Sequence, residues 1–193
     1  MKNEIINYIK ESVSVKENML LSDEIINNIE IVANIIIGAY INNKKVLIAG
    51  NGGSASDAQH IVTELVSKLY RDRKPLNAIA LTSNISILTA VANDYSYEEV
   101  FTRQIQGYGE DGDVYLAIST SGNSKNIISS LIEAKKMNLI TIGFTGKNVS
   151  MMDSLCDYII KIPSEKTSII QEVYMMISHI ICIKIEKFFS ESR

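Results

Sequence analysis

Five short runs rich in Val, Ile and Leu, over 45–49, 77–81, 113–119, 139–144 and 158–162, constrain this chain more than any other feature. Each is bounded by Gly, Asn, Asp, Ser or Pro, which marks them as strands. Between them, over 54–70, 84–107, 124–137 and 167–189, apolar residues recur at helical spacing. Strands that are apolar along their length need cover on both faces, and alternation with helices supplies it for a parallel sheet. The sequence therefore predicts an α/β fold, a three-layer α/β/α sandwich around a five-stranded parallel sheet, as one domain over 1–193. Two more helices, over 3–18 and 23–43, precede the first strand; the second carries Ile25, Ile26, Ile29, Val32, Ile35 and Ile36 on one period and has Ser22 or Asp23 as N-cap. Pro75 and Pro163 fall outside the runs, before the second and after the last.

Two of these strands empty into loops suited to an anion. The third leads into Ser119-Thr120-Ser121-Gly122-Asn123-Ser124, with a helical pattern starting at Lys125, and the first leads into Gly50-Asn51-Gly52-Gly53-Ser54-Ala55-Ser56. Hydroxyls and backbone N–H groups meet there at the positive end of a helix dipole, where a phosphate is stabilised. In open α/β sheets ligands bind beyond the carboxyl ends of the strands. Two such loops point to a phosphorylated small molecule. Gly50-x-Gly52-x-x-Ala55 also fits the dinucleotide pattern, but the next strand ends Ala80-Leu81-Thr82-Ser83, with no acid to hold a ribose. A P-loop would need Gly-Lys-Ser/Thr, and this loop has no lysine. A turn serving strand–helix packing alone explains the glycines; Asn51, Ser54, Ser56 and the second hydroxyl loop exceed what packing requires.

A net charge of −3 and the lack of a Lys/Arg run argue against a nucleic-acid surface, whose affinity rests on neutralising phosphates. Lys2, Glu4, Lys10, Glu11, Lys16 and Glu17 interrupt the first twenty residues, so no signal peptide is read there. The longest uncharged apolar stretch, 31–41, falls short of the ~20 residues that span a bilayer, and a cytoplasmic protein without membrane partners is expected. Cys156 and Cys182 lie in apolar surroundings without CxxC spacing and read as reduced core thiols.

Taken together, Gly50-Asn51-Gly52-Gly53-Ser54, Asp57-Ala58-Gln59-His60 with Glu64-Leu65, Ala92-Asn93-Asp94, Ile118 through Ser124 and Ile170-Gln171-Glu172 resemble the sugar isomerase (SIS) domain family over nearly the whole chain. The resemblance implies the flavodoxin-like SIS fold and is strongest to the branch that isomerises sedoheptulose 7-phosphate to D-glycero-D-manno-heptose 7-phosphate, toward activated heptose for lipopolysaccharide or capsule. It implies that Ser119, Thr120, Ser121 and Ser124 hold the phosphate, that Asn51, Gly52 and Gly53 contact the sugar, and that Asn93 and Asp94 bind its hydroxyls. Some members carry zinc on the residues matching His60, Glu64, Gln171 and His179, with Gln171 touching substrate as well. Members assemble as homotetramers with active sites at subunit interfaces, which gives helices 1–43 a packing role. Where many relatives read Arg-Ile-Gln-Glu, this chain reads Ile169-Ile170-Gln171-Glu172.

The residues also make chemical sense on their own. His60 and Glu64, four apart, share one face of a helix, and the only two histidines of the chain are His60 and His179. Moving a carbonyl between adjacent carbons needs a base, an acid and stabilisation of an enediol; Glu64 is the candidate base and substrate contact, His179 its acid/base partner. Gln171 and His179 are eight apart, about 12 Å of helix rise, so a site using both on one ion is expected to gather residues from more than one subunit. Two other readings stay open: a related branch of adaptors for the bacterial replication initiator, which needs no acid/base pair, and an isomerase or sensor of another sugar phosphate.

Overall fold

The computed structural model describes residues 1–191; the last two residues of the expected 1–193 domain lie outside the described residues. Two helices, α1 (Lys2–Leu20) and α2 (Asp23–Ile41), lead into β1 (Val46–Gly50) and α3 (Gly53–Val66). Then follow β2 (Ala78–Ala80), α4 (Ile85–Asp94), a 3-10 turn (Tyr97–Glu99), α5 (Thr102–Tyr108), β3 (Val114–Ile118), α6 (Lys125–Lys136), β4 (Ile140–Gly146), α7 (Met152–Leu155), β5 (Tyr158–Ile162) and α8 (Thr167–Glu191). Among the described residues the five strands form one parallel sheet in the order β2-β1-β3-β4-β5. The chain reverses its direction of travel between β1 and β3, which makes the crevice between their carboxyl ends the place for a ligand.

Alternation along the buried strands divides the core in two. Val46, Ile48, Leu116, Ile118 and Phe144 meet α1, α2, α3 and α8, whereas Leu47, Ala49, Tyr115 and Ala117 meet α5, α6 and the segment around Phe101. All five expected strands form. Ser22, rather than Asp23, caps α2, accepting from Ile25 N at 3.4 Å.

The helical pattern over 84–107 resolves differently, as α4, the 3-10 turn and α5. α4 is held only by the half-buried Leu88, Val91 and Ala92, and at Tyr95 (φ −124°, ψ −90°) the backbone leaves the helical region; Val100 and Phe101 enter the core and start the next piece. α3 stops at Val66 instead of reaching residue 70, because Ser67 turns to φ −86°, ψ −116°. The single-turn α7 has no sequence period to reveal it. α2 and α8 are long and apolar enough to cross a bilayer by length and composition, beyond what the uncharged stretch 31–41 indicated, but both pack on the sheet here. Cys182 is buried and Cys156 only half-buried; burial pushes both thiols up to about 12, away from reactivity.

Candidate functional site: a phosphate cradle and a His–Glu–His cluster

The loop after β3 is a compact cradle. Ser119 Oγ lies 3.1 Å from Ser124 Oγ and 3.5 Å from Ser121 Oγ, and Ser121 Oγ accepts from Asn123 N at 3.2 Å. Gly122 turns the loop at φ +66°, and a side chain there would run into Ser150 Oγ and Thr145 Oγ1. Ser124 precedes α6 without spending its hydroxyl on a cap bond, which leaves it for a ligand at the positive end of the helix. Thr120, Ser121 and Asn123 face a cavity of about 390 Å³ that Lys147, Ser164 and Thr167 also line.

The loop after β1 closes the other side of the crevice. Asn51 exchanges amide hydrogen bonds with Asn126 of α6, both at 2.9 Å, and its Oδ1 accepts from Tyr97 Oη at 3.0 Å. Gly52 caps α3 at φ +57°, and Gly53 has no room for a side chain because the Gln171 carboxamide of α8 fills it. Asn93 donates to Asp94 Oδ1 at 2.8 Å at the exposed end of α4, three residues before the tyrosine that reaches Asn51.

Helices α3 and α8 run parallel, as the successive pairs Ser54–Tyr174 and His60–His179 show. On that seam His60 Nε2 lies 3.1 Å from His179 Nε2 and 3.3 Å from Glu64 Oε1, and ligand atoms of the three residues all fall within 4.8 Å of one another. Zinc bonds of about 2.0–2.2 Å place tetrahedral donors about 3.4 Å apart, close to the 3.1 and 3.3 Å contacts here, and two imidazoles and a carboxylate are donors that could hold zinc. The three come from a single chain. Gln171 is not with them: its side chain sits at Gly53, seven residues before His60 and so about 10 Å of helix rise away. The spacing that argued against Gln171 and His179 sharing one ion within a chain therefore does not prevent a three-donor cluster.

Two residues of this seam carried no role in the sequence reading. Asp57, one turn before His60 on α3, has a buried Oδ2 with no partner among the described residues; burial raises its carboxyl, against the opposing influence of the nearby Tyr174 hydroxyl and His60. Tyr174, three residues after Gln171, bonds Ser54 Oγ at 2.5 Å, and burial raises its hydroxyl far above the usual tyrosine range. Helical spacing from His60 and Gln171 would have flagged both.

The SIS domain family matches residues 7–146, from α1 through β4. The chain belongs to the SIS domain family. A phosphoheptose isomerase of Aneurinibacillus thermoaerophilus is 49% identical over 187 residues, covering 97% of this chain and 94% of that protein. Among solved structures, a phosphoheptose isomerase from Francisella tularensis superposes with a TM-score of 0.92 at 31% identity, covering 96% of this chain and 97% of that one. A second, from Neisseria gonorrhoeae, gives 0.89 at 31% identity, covering 96% and 98%. This SIS domain keeps both histidines and Glu64 on one seam. Ile169, where the resemblance led an arginine to be expected, is fully buried in the core.

Proposed function

We propose that this chain is an aldose–ketose isomerase interconverting sedoheptulose 7-phosphate and D-glycero-D-manno-heptose 7-phosphate. The observation that carries this reading is the convergence of Glu64 and His179 beside His60 in a chain that also builds a hydroxyl cradle. Relatives of matching length and 49% identity bear the name phosphoheptose isomerase, which supplies the sugar.

In this reading Ser119, Thr120, Ser121, Ser124 and the start of α6 bind the phosphate, while Asn51, Gly52, Gly53, Asn93, Asp94 and Gln171 orient the sugar. Glu64 removes a proton from carbon 1 of the ketose. The electron pair forms the carbon 1–carbon 2 double bond as the carbon 2 oxygen takes a proton from His179. Return of a proton to carbon 2 and loss of the carbon 1 hydroxyl proton complete the aldose. Zinc, held by His60, Glu64 and His179, would polarise the enediol oxygens.

The phosphate and the reacting carbons lie at opposite ends of the substrate, and the cradle and the seam are separate in the chain. A homotetramer in which neighbouring subunits complete each site fits that separation, with the exposed apolar residues of α1 and α2 as its packing surface. A cytoplasmic setting, where sugar phosphates occur, belongs to the same proposal. The adaptor reading is disfavoured because a scaffold has no use for an assembled acid/base pair.

The test is conversion of sedoheptulose 7-phosphate by purified protein, followed by NMR, before and after chelation and with zinc restored. Turnover that falls with the chelator and returns with zinc supports both enzyme and metal. No turnover by folded, zinc-supplied protein overturns the substrate assignment.

A further inference from the structure

Glu64 sits two residues from the end of α3, in a last turn whose carbonyls have no partners within the helix and where fraying would displace it. Three of those carbonyls are nevertheless taken. Thr63 O accepts from Ser67 N at 2.8 Å, Glu64 O from Arg73 Nη2 at 2.7 Å, and Leu65 O from Leu76 N at 3.1 Å. Arg73 is only 6% exposed and also donates to Lys74 O at 3.1 Å. Opposite it, Glu186 lies on α8 seven residues past His179, hence on the same face two turns on. It is 2% exposed and accepts from Leu69 N at 2.8 Å and Tyr70 N at 2.9 Å. Burial opposes its charge, but the Tyr70, Leu69 and Arg71 amides and the Arg73 charge hold its carboxyl below the usual range.

The segment that follows α3 is thus tied to Glu64 by a guanidinium and to the helix carrying His179 by a carboxylate. Two buried charges are a costly way to hold a loop, and ordinary backbone capping would serve the fold. What charge-assisted bonds add is fixed geometry. We propose that Arg73 and Glu186 are positioning residues for the reaction centre, locking the last turn of α3 against α8 so that Glu64 and His60 keep their spacing from His179. The proposal rests on the isomerase reading of Glu64 and His179.

The test compares wild type with Arg73→Met, Arg73→Lys and Glu186→Gln, each checked for folding by circular dichroism. It reads kcat and KM separately on sedoheptulose 7-phosphate, and Zn2+ affinity by competition with a chromophoric chelator, which needs no turnover. Arg73→Met should lower kcat at least about tenfold with KM within about twofold, and weaken Zn2+ about tenfold. Arg73→Lys, which keeps one donor for the Glu64 carbonyl, should recover most of both losses, and Glu186→Gln should move both readouts the same way by a smaller factor. A folded Arg73→Met with kcat and Zn2+ affinity within about twofold of wild type overturns the proposal. If Arg73→Met does not fold, Glu186→Gln decides by the same readouts. If wild type does not turn over the sugar, the isomerase reading fails and the Zn2+ arm alone judges the positioning.

Discussion

The cradle and the seam solve their problems by opposite means. The cradle spans six consecutive residues, Ser119 to Ser124, and works through short hydroxyls and a helix start fixed by one turn. The seam joins His60 to His179 across 119 positions of sequence and holds only as well as α3 packs on α8. In the proposed reading a local device binds and a long-range device reacts, and perturbations should separate them.

The largest effect is expected at the seam. Glu64→Gln should lower kcat about 10³-fold while phosphate binding, read as competition by inorganic phosphate in NMR titrations, stays near wild type. If turnover survives, the base lies elsewhere. Gly122→Ala breaks the other region through its backbone: at φ +66°, with Thr145 Oγ1 2.8 Å from the added carbon, it should cost about 2 kcal/mol in a denaturant melt.

These same two regions show what a sequence reveals. Strands, crevice and cradle were legible because each depends on neighbours in the chain: apolar runs, a glycine that turns, hydroxyls before a helix. His60 and Glu64 were legible as an i, i+4 pair. That His179 completes the trio, while Gln171 eight residues earlier turns to Gly53, depends on the parallel packing of α3 and α8, which no local pattern encodes. Arg73 was invisible for the same reason, since its partner is a backbone carbonyl nine positions back. The break of 84–107 into three pieces falls at Tyr95, where no Gly or Pro marks it in the sequence.

Smaller effects sharpen the contrast. Ser124→Ala, which removes the 3.1 Å partner of Ser119, should raise KM about tenfold and leave kcat within about threefold, the loss expected for one hydrogen bond to a charged group. Glu172→Gln should spare both regions. Lys16 first, then Ser12, hold the Glu172 carboxyl below its ordinary value, so this contact between α1 and α8 adds stability above the unfolded pKa of about 4.3 and loses it as pH falls through the lower folded value. Because Glu172 is partly exposed, the variant should cost only about 0.5 kcal/mol at pH 7, a difference that vanishes on acidification in pH-dependent melts.

The central claim, that binding and reaction are built separately, is tested most directly by steady-state kinetics of His179→Gln and Ser121→Ala side by side on sedoheptulose 7-phosphate. The account predicts that His179→Gln lowers kcat about 10²-fold with KM within about threefold, whereas Ser121→Ala raises KM about tenfold with kcat nearly unchanged. Both variants shifting the same parameter by similar factors would contradict it.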